Sequence, residues 1–238
     1  MRILLFFCCV LCFACDNEDN DFQPPSLPDS TVESDTTLSF LALGDSYTIG
    51  TSVEAEQRWP DQLATALLEQ ESIRLLPLEI VARNGWRTDN LANALLADPP
   101  GNDWNMVSLL IGVNDLYQGF AVEGYETRFS ALLESAIGFA GGDTASVFVL
   151  SIPDYAYTPF GGGNEAISKE IDRFNAAATR IAAEKGVMFY DITDISRKGL
   201  AEPLLVAEDN LHPSGLQYGR WVESVLLDRV AERVRARD

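Results

Sequence analysis

The chain has 238 residues, 47% of them hydrophobic, enough for one domain with a packed core plus a tail, and this excludes a wholly disordered protein. Asp and Glu number 36 against 17 Lys and Arg, a net charge of −19; with the acid-rich stretch 16–38 and Arg2 set aside, 29 acids still face 16 bases. A surface this negative repels phosphates and anionic lipid headgroups, which excludes a nucleic-acid binder.

Arg2 is followed by an unbroken apolar run, Ile3 to Ala14. That run is too short for a membrane span, which needs about 20 residues, but it has the length of a signal-peptide core. All four cysteines lie here: Cys8, Cys9 and Cys12 inside the run and Cys15 at its end. The rest of the chain therefore has neither a thiol nucleophile nor a Cys/His zinc cluster. Cys15, after Phe13 and Ala14, resembles the end of a bacterial lipoprotein signal, in which the cysteine is lipidated and becomes the mature N-terminus. Cys12 and Ala14 also satisfy a small-x-small cleavage site, which would release a soluble exported protein. The expectation is a signal over 1–15 and an exported protein whose contact with the membrane is a lipid on Cys15 alone. Residues 16–37 carry clustered acids and Pro24, Pro25 and Pro28, the composition of an extended, solvated tether.

From residue 38 to 238 strand and helix patterns alternate. Leu38–Leu43 is a short apolar run ending at Gly44, hence a buried strand. Pro60–Gln70 reads as a helix with Pro60 in its first turn and Leu63, Leu67 and Leu68 on one face. Leu78–Ala82 is a second strand, and Thr88 caps a helix carrying Leu91, Leu95 and Leu96. Met106–Ile111 is a third strand and Tyr125–Ala140 a helix. Ser146–Ser151, the helix Glu165–Lys185 and the strand Val187–Ile192 follow. Pro213 opens a last helix with Tyr218, Trp221, Val222, Val225, Leu226, Val230 and Val234 on one stripe. This alternation implies right-handed crossovers and a mainly parallel five-stranded sheet covered on both faces, an α/β three-layer sandwich without a second domain. In such sheets ligands bind outside the carboxyl ends of the strands.

Those ends carry chemistry. After the first strand stands Gly44-Asp45-Ser46, a serine on a tight strand-to-helix turn with Asp45 as a turn-stabilising carboxylate. After the second comes Asn84-Gly85-Trp86-Arg87, where Gly85 lets a backbone N–H approach a ligand closely. After the third comes Gly112-Val113-Asn114-Asp115, where Asn114 offers an amide donor. Late in the chain is Asp209-Asn210-Leu211-His212-Pro213. His212 is the one histidine in the chain. Pro213 disfavours helix at His212, and a carboxylate three residues back in such a turn can accept the Nδ1 proton. A serine hydroxyl needs a neighbouring base to become a nucleophile, and His212 is the natural candidate. Each block alone has an ordinary reading as a turn, a loop or a helix cap; it is their placement on successive strand ends that points to a site. Trp86, Tyr117, Tyr155, Tyr157 and Phe160 either line that site or pack loops onto the domain, and Arg87 is either a substrate contact or a surface charge. Gly161-Gly162-Gly163 reads as a mobile loop near the site and lacks the lysine of a phosphate-binding loop.

The four blocks resemble the SGNH-hydrolase, or GDSL esterase/lipase, superfamily, named for Ser, Gly, Asn and His in this order, and the resemblance runs from about Leu38 to the last helix. Tyr47 stands where the family's name has leucine. The resemblance implies a flavodoxin-like fold, Ser46 as nucleophile, His212 as general base and then acid, and Asp209 as its orienting carboxylate. It implies an oxyanion hole of the Ser46 and Gly85 N–H groups with the Asn114 amide. The absence of a Gly-x-Ser-x-Gly elbow argues against the α/β-hydrolase family. The reading is thus an exported serine esterase acting on a small-molecule ester, either a short acyl ester of a carbohydrate or a lipid ester, with no cofactor or metal. Trp86, Arg87 and Tyr155 are its candidate substrate-lining residues. Two alternatives from other classes are a catalytically silent, surface-tethered binding module on the same fold and a metal-dependent phosphoesterase with a carboxylate site.

Overall fold

The computed structural model describes residues 36–237; the expected signal with Cys15 and the tether up to residue 35 lie outside the described residues. Five strands, β1 (Thr36–Gly44), β2 (Ile73–Ala82), β3 (Met106–Leu110), β4 (Val147–Leu150) and β5 (Met188–Tyr190), form one parallel sheet in the order β2-β1-β3-β4-β5. This is the flavodoxin-like order. The inner strands are apolar apart from Ser108 because helices cover both of their faces: Phe40 to Leu43, Met106 to Leu110 and Val147 to Leu150 are all buried.

On one face, α2 (Trp59–Glu71) packs against the C-terminal helical run α8 (Gly215–Trp221) and α9 (Leu227–Arg235). The sheet meets this layer through aromatic rings: Trp59 lies 6.0 Å from Phe40 and 6.4 Å from Phe148. On the other face, α5 (Val122–Phe139) packs against α3 (Thr88–Ala97) and α6 (Glu165–Glu184). Its core is Tyr125, 5.2 Å from Phe129 and 4.7 Å from Phe174. Short helices α1 (Ser46–Ile49), α4 (Val113–Tyr117) and α7 (Thr193–Ser196) follow β1, β3 and β5. Among the described residues no helix is long and apolar enough to cross a membrane.

The expected elements are present, and the differences have local causes. β2 starts at Ile73, five residues before its apolar core, and runs through Pro77. The register against β1 slips between Leu38 and Phe40, and because β2 is an edge strand its proline interrupts no ladder on the outer side. Thr88 does not cap α3: Arg87 is the cap residue, and Thr88 is the first, buried helical residue, engaged elsewhere. Leu96 is exposed on α3, so the apolar face there is Leu91 and Leu95. Pro213 precedes the last helix, whose cap is Ser214, accepting from the Gln217 N–H. Between α8 and α9 lies a π turn, Val222–Leu226. The extra residue of a π turn advances the phase of the helix face, so Leu227 joins the buried stripe, while Val225 is half-buried against the core.

Gly112, the cap residue of α4, has φ +132, and an added Cβ would lie 2.5 Å from Tyr125 Cε2 and 3.0 Å from Ile152 Cδ1. The backbone conformation and the core ring both exclude a side chain there. Gly112→Ala should therefore destabilise the domain by about 2–3 kcal/mol, seen as a lower midpoint in thermal or urea unfolding; an unchanged midpoint would show that the α4 entry is soft.

Candidate active site

Gly44 pairs with Ala82 on one side and with Leu110 on the other, so the chain leaves β1, β2 and β3 at one level. Strand order reverses here, because the chain runs from β1 out to β2 and returns to the far side of β1 as β3. That reversal opens a crevice at the strand ends. Into it come Ser46, the first residue of α1; Gly85, with φ +79; and Asn114, in the first turn of α4. His212 arrives from after β5. Its turn is closed by the Ala207 N–H donating to the His212 carbonyl at 2.8 Å and by an antiparallel bridge between Val206 and Pro213.

Asp209 is tied down from four directions. Its Oδ1 accepts the N–H groups of Leu211 and His212, each at 2.9 Å. Its Oδ2 faces His212 Nδ1 at 2.5 Å and accepts the Ser52 hydroxyl at 2.6 Å. Burial favours the neutral acid, but the hydrogen bonds from Ser52, the His212 ring and the two backbone groups outweigh it and hold the carboxyl at about 2. An ionised Asp209 places the hydrogen on Nδ1 and leaves Nε2 as the acceptor. The imidazole is buried, with the Tyr47 ring 5.6 Å away.

Ser46 and His212 line one cavity of about 350 Å³, together with Gly85 and Asn114. Tyr47, Val113, Tyr155 and Leu211 supply its apolar wall. At the mouth, Tyr117 and Phe160 are both more than half exposed, and with Tyr155 they form a cluster of three rings at centroid distances of 6.1–6.3 Å. Of the expected lining residues, Tyr155 is there and Trp86 and Arg87 are not. The Trp86 side chain packs on the core, while its carbonyl accepts Asn114 Nδ2 at 2.9 Å. Arg87 is drawn aside by Asp89 at 2.8 Å and by Gln118 Oε1 at 2.5 Å, with its guanidinium 4.9 Å over the Phe120 ring. Tyr157 is also absent from the wall. Gly161–Gly163 is a fastened turn: Gly161 donates to Thr158 Oγ1, Gly162 to the Thr158 carbonyl and Gly163 to the Ala156 carbonyl. Ser52 and Gln118 escaped the sequence reading, and Asn84 and Leu211 stood in it only as members of the second and fourth blocks, with no role of their own. Ser52 and Gln118 lie outside the four blocks, and no local pattern marks either. Among the described residues no group of three or more His, Cys, Asp or Glu is placed to hold a metal ion.

Asp45 beside Ser46 behaves as a turn carboxylate, accepting the Tyr47 N–H at 3.0 Å through Oδ1. Its Oδ2 is buried with no partner among the described residues. Burial, helped by the negative charge of Asp115 and opposed by the Tyr47 N–H, pushes its carboxyl up to about 8. The folded state thus keeps a proton that the unfolded chain releases above 3.8, and stability from this group falls as pH rises from about 4 to about 8. Asp209 has the opposite sign and a separate window: its contribution is full above 3.8 and disappears as pH falls towards about 2. Asp45→Asn should remove the first dependence. The difference in thermal midpoint between variant and wild type should move in the variant's favour from pH 5 to pH 8; parallel curves would show that Asp45 is ionised in the fold.

Residues 42–220 match the model of the GDSL-like lipase/acylhydrolase family. No curated protein matches the chain. Among solved structures, LAE5, an α/β hydrolase enzyme from the metagenome of Lake Arreo, Spain, superposes with a TM-score of 0.58 at 19% identity, covering 84% of this chain and 94% of that one. A lipolytic G-D-S-L family protein from Veillonella parvula gives 0.58 at 15% identity, with 77% and 93% covered. Axe2, an acetylxylan esterase from Geobacillus stearothermophilus, gives 0.59 at 19% identity, with 79% and 94% covered. These likenesses carry the fold, and the family match over most of the chain carries the class: the protein belongs to the GDSL-like lipase/acylhydrolase family and is an SGNH-type ester hydrolase.

Proposed function

We propose that the protein hydrolyses short-chain acyl esters, foremost acetyl esters of carbohydrates, through an acyl-enzyme on Ser46. The observation that carries this reading is the Asp209–His212 pair opening into the same cavity as Ser46, Gly85 and Asn114. His212 Nε2 takes the proton from the Ser46 hydroxyl as its oxygen attacks the ester carbonyl. The N–H groups of Ser46 and Gly85 and the Asn114 amide receive the negative charge that develops on the carbonyl oxygen. The Asn114 amide has two hydrogens: one goes to the Trp86 carbonyl and fixes its plane, and the other faces the oxyanion. When the intermediate collapses, the alcohol leaves with the proton from His212. Water then attacks the acyl-enzyme with His212 again as base, releasing the carboxylic acid and free Ser46.

The alcohol portion rests on the rings of Tyr117 and Phe160, whose flat exposed faces suit the C–H faces of a sugar, with Asn84 and Gln118 beside them for hydroxyl groups. The similarity in fold to an acetylxylan esterase agrees with this choice. Export and attachment through a lipid on Cys15 remain part of the proposal and rest on residues 1–15 alone.

A fluorophosphonate should label wild-type protein at Ser46, and Ser46→Ala should neither label nor turn over 4-nitrophenyl acetate while keeping its thermal midpoint. Activity should fall from acetyl to dodecanoyl esters. Full activity in Ser46→Ala would overturn the mechanism, and rates that climb with chain length would replace the sugar ester by a lipid ester. A folded wild-type protein inert to both reagents would favour the binding module. Tyr117→Ala with Phe160→Ala should raise KM for an acetylated xylo-oligosaccharide about tenfold, roughly the loss of one good ring contact, and leave KM for 4-nitrophenyl acetate nearly unchanged; equal effects on both would remove the rings from substrate binding.

A further inference from the structure

Behind the cavity wall lies a second polar cluster, none of whose members lines the cavity. Asp115, next to Asn114, is completely buried. Its Oδ2 accepts the Thr88 N–H at 2.9 Å, and its Oδ1 accepts the Thr88 hydroxyl at 2.6 Å. Thr88 opens α3, three residues after Gly85. Arg128, from the middle of α5, bonds to both partners: Nη2 to Asp115 Oδ1 at 2.9 Å and Nε to Thr88 Oγ1 at 2.8 Å. The three side chains therefore close a ring, and Phe120 covers the guanidinium at 5.3 Å. Gly124, one helical turn earlier, leaves the room for this side chain: a Cβ there would lie 3.2 Å from Arg128 Nη1.

The ring joins the two turns that carry the proposed oxyanion donors. One side of it is the β2–α3 turn with the Gly85 N–H; the other is the β3–α4 turn with Asn114. The Asn114–Trp86 hydrogen bond is a second tie between the same turns. A buried carboxylate that is paired and fully bonded holds its neighbours rigidly, and losing its cation costs far more than the pair itself contributes. Donor placement in turn controls how well an oxyanion is stabilised.

We propose that Arg128, with Asp115 and Thr88, is a positioning clamp that sets the separation of the Gly85 N–H and the Asn114 amide, so that a residue on α5 outside the cavity governs stabilisation of the tetrahedral intermediate. This rests on the assignment of Gly85 and Asn114 as oxyanion donors made above. Arg128 touches neither substrate nor reacting atoms, so its loss acts on the transition state and not on substrate binding.

The test uses the full chain with Thr88→Val, which removes the hydroxyl at constant shape, and Arg128→Lys, which keeps a positive charge beside Asp115 but lacks the two-pronged fork. Turnover of 4-nitrophenyl acetate is referred to the fraction of Ser46 that a fluorophosphonate labels to completion, so that misfolded protein is not counted. Both variants should lose about tenfold to a hundredfold in kcat per labelled site, as for a donor misplaced by a fraction of an ångström. KM should stay within about twofold. The inhibition constant of phenylboronic acid, whose tetrahedral adduct on Ser46 occupies the oxyanion site, should rise in parallel with the loss in kcat/KM. Unchanged kcat per labelled site, or a fall in kcat with no change in boronate affinity, would overturn the clamp while leaving the esterase intact. Wild-type protein that neither labels nor turns over ester would instead remove the esterase reading, and the clamp with it.

Discussion

The register of β1 between β2 and β3 is the constraint from which the rest of the site follows. Gly44 sits level with both Ala82 and Leu110, and each pairing is a backbone matter that no single side chain decides. With that alignment, a serine two residues beyond β1, a glycine three beyond β2 and an asparagine four beyond β3 must meet over one edge of the sheet. A slip by one residue would turn each side chain to the opposite face of its strand. The apolar content of the inner strands protects the alignment, since both faces are covered and a slip would break the packing on α2 and α5 together.

The buried carboxylates show three solutions to one electrostatic problem. Asp115 is matched by a cation and a threonine that supplies two donors. Asp154 is met by Arg197, by the Ser168 hydroxyl and by the Ala156 N–H, and so pins the loop that delivers Tyr155 to the cavity. Asp45 has one N–H, and burial keeps it protonated. Asp209, nearer the surface, stays charged because four donors surround it, and a charged partner is what the His212 ring needs in order to stay oriented. Two acids within the same domain, both next to proposed catalytic groups, are thus shifted in opposite directions, Asp45 upward by complete burial with a single donor and Asp209 downward by four donors at a more exposed position.

The clearest limits of local reading are Arg87 and Ser52. Arg87 belongs to the second block and reads equally as a substrate contact or a surface charge; Asp89 and Gln118 claim its guanidinium, which the local pattern does not decide. Ser52 carries no pattern at all, yet it donates to the carboxylate that orients His212 across 157 residues of sequence. Leu227 joins Val225 and Leu226 against the core because one π turn changes which residues of the last helical run face inward, and no local period announces it.

By itself the sequence determined the strand–helix alternation, the parallel sheet, the order of the four blocks and the Asp209–His212 pair. Each of these rests on interactions between residues close along the chain, whether a hydrophobic period, a turn glycine or a carboxylate three residues from an imidazole. Only the tertiary structure decided which side chains line the cavity and which support it from behind. The aromatic mouth of Tyr117, Tyr155 and Phe160, the support of Asp209 by Ser52 and the ring of Thr88, Asp115 and Arg128 join segments that are far apart in sequence. Their partners are set by where neighbouring strands and helices end, and a periodicity read along one segment contains no record of that.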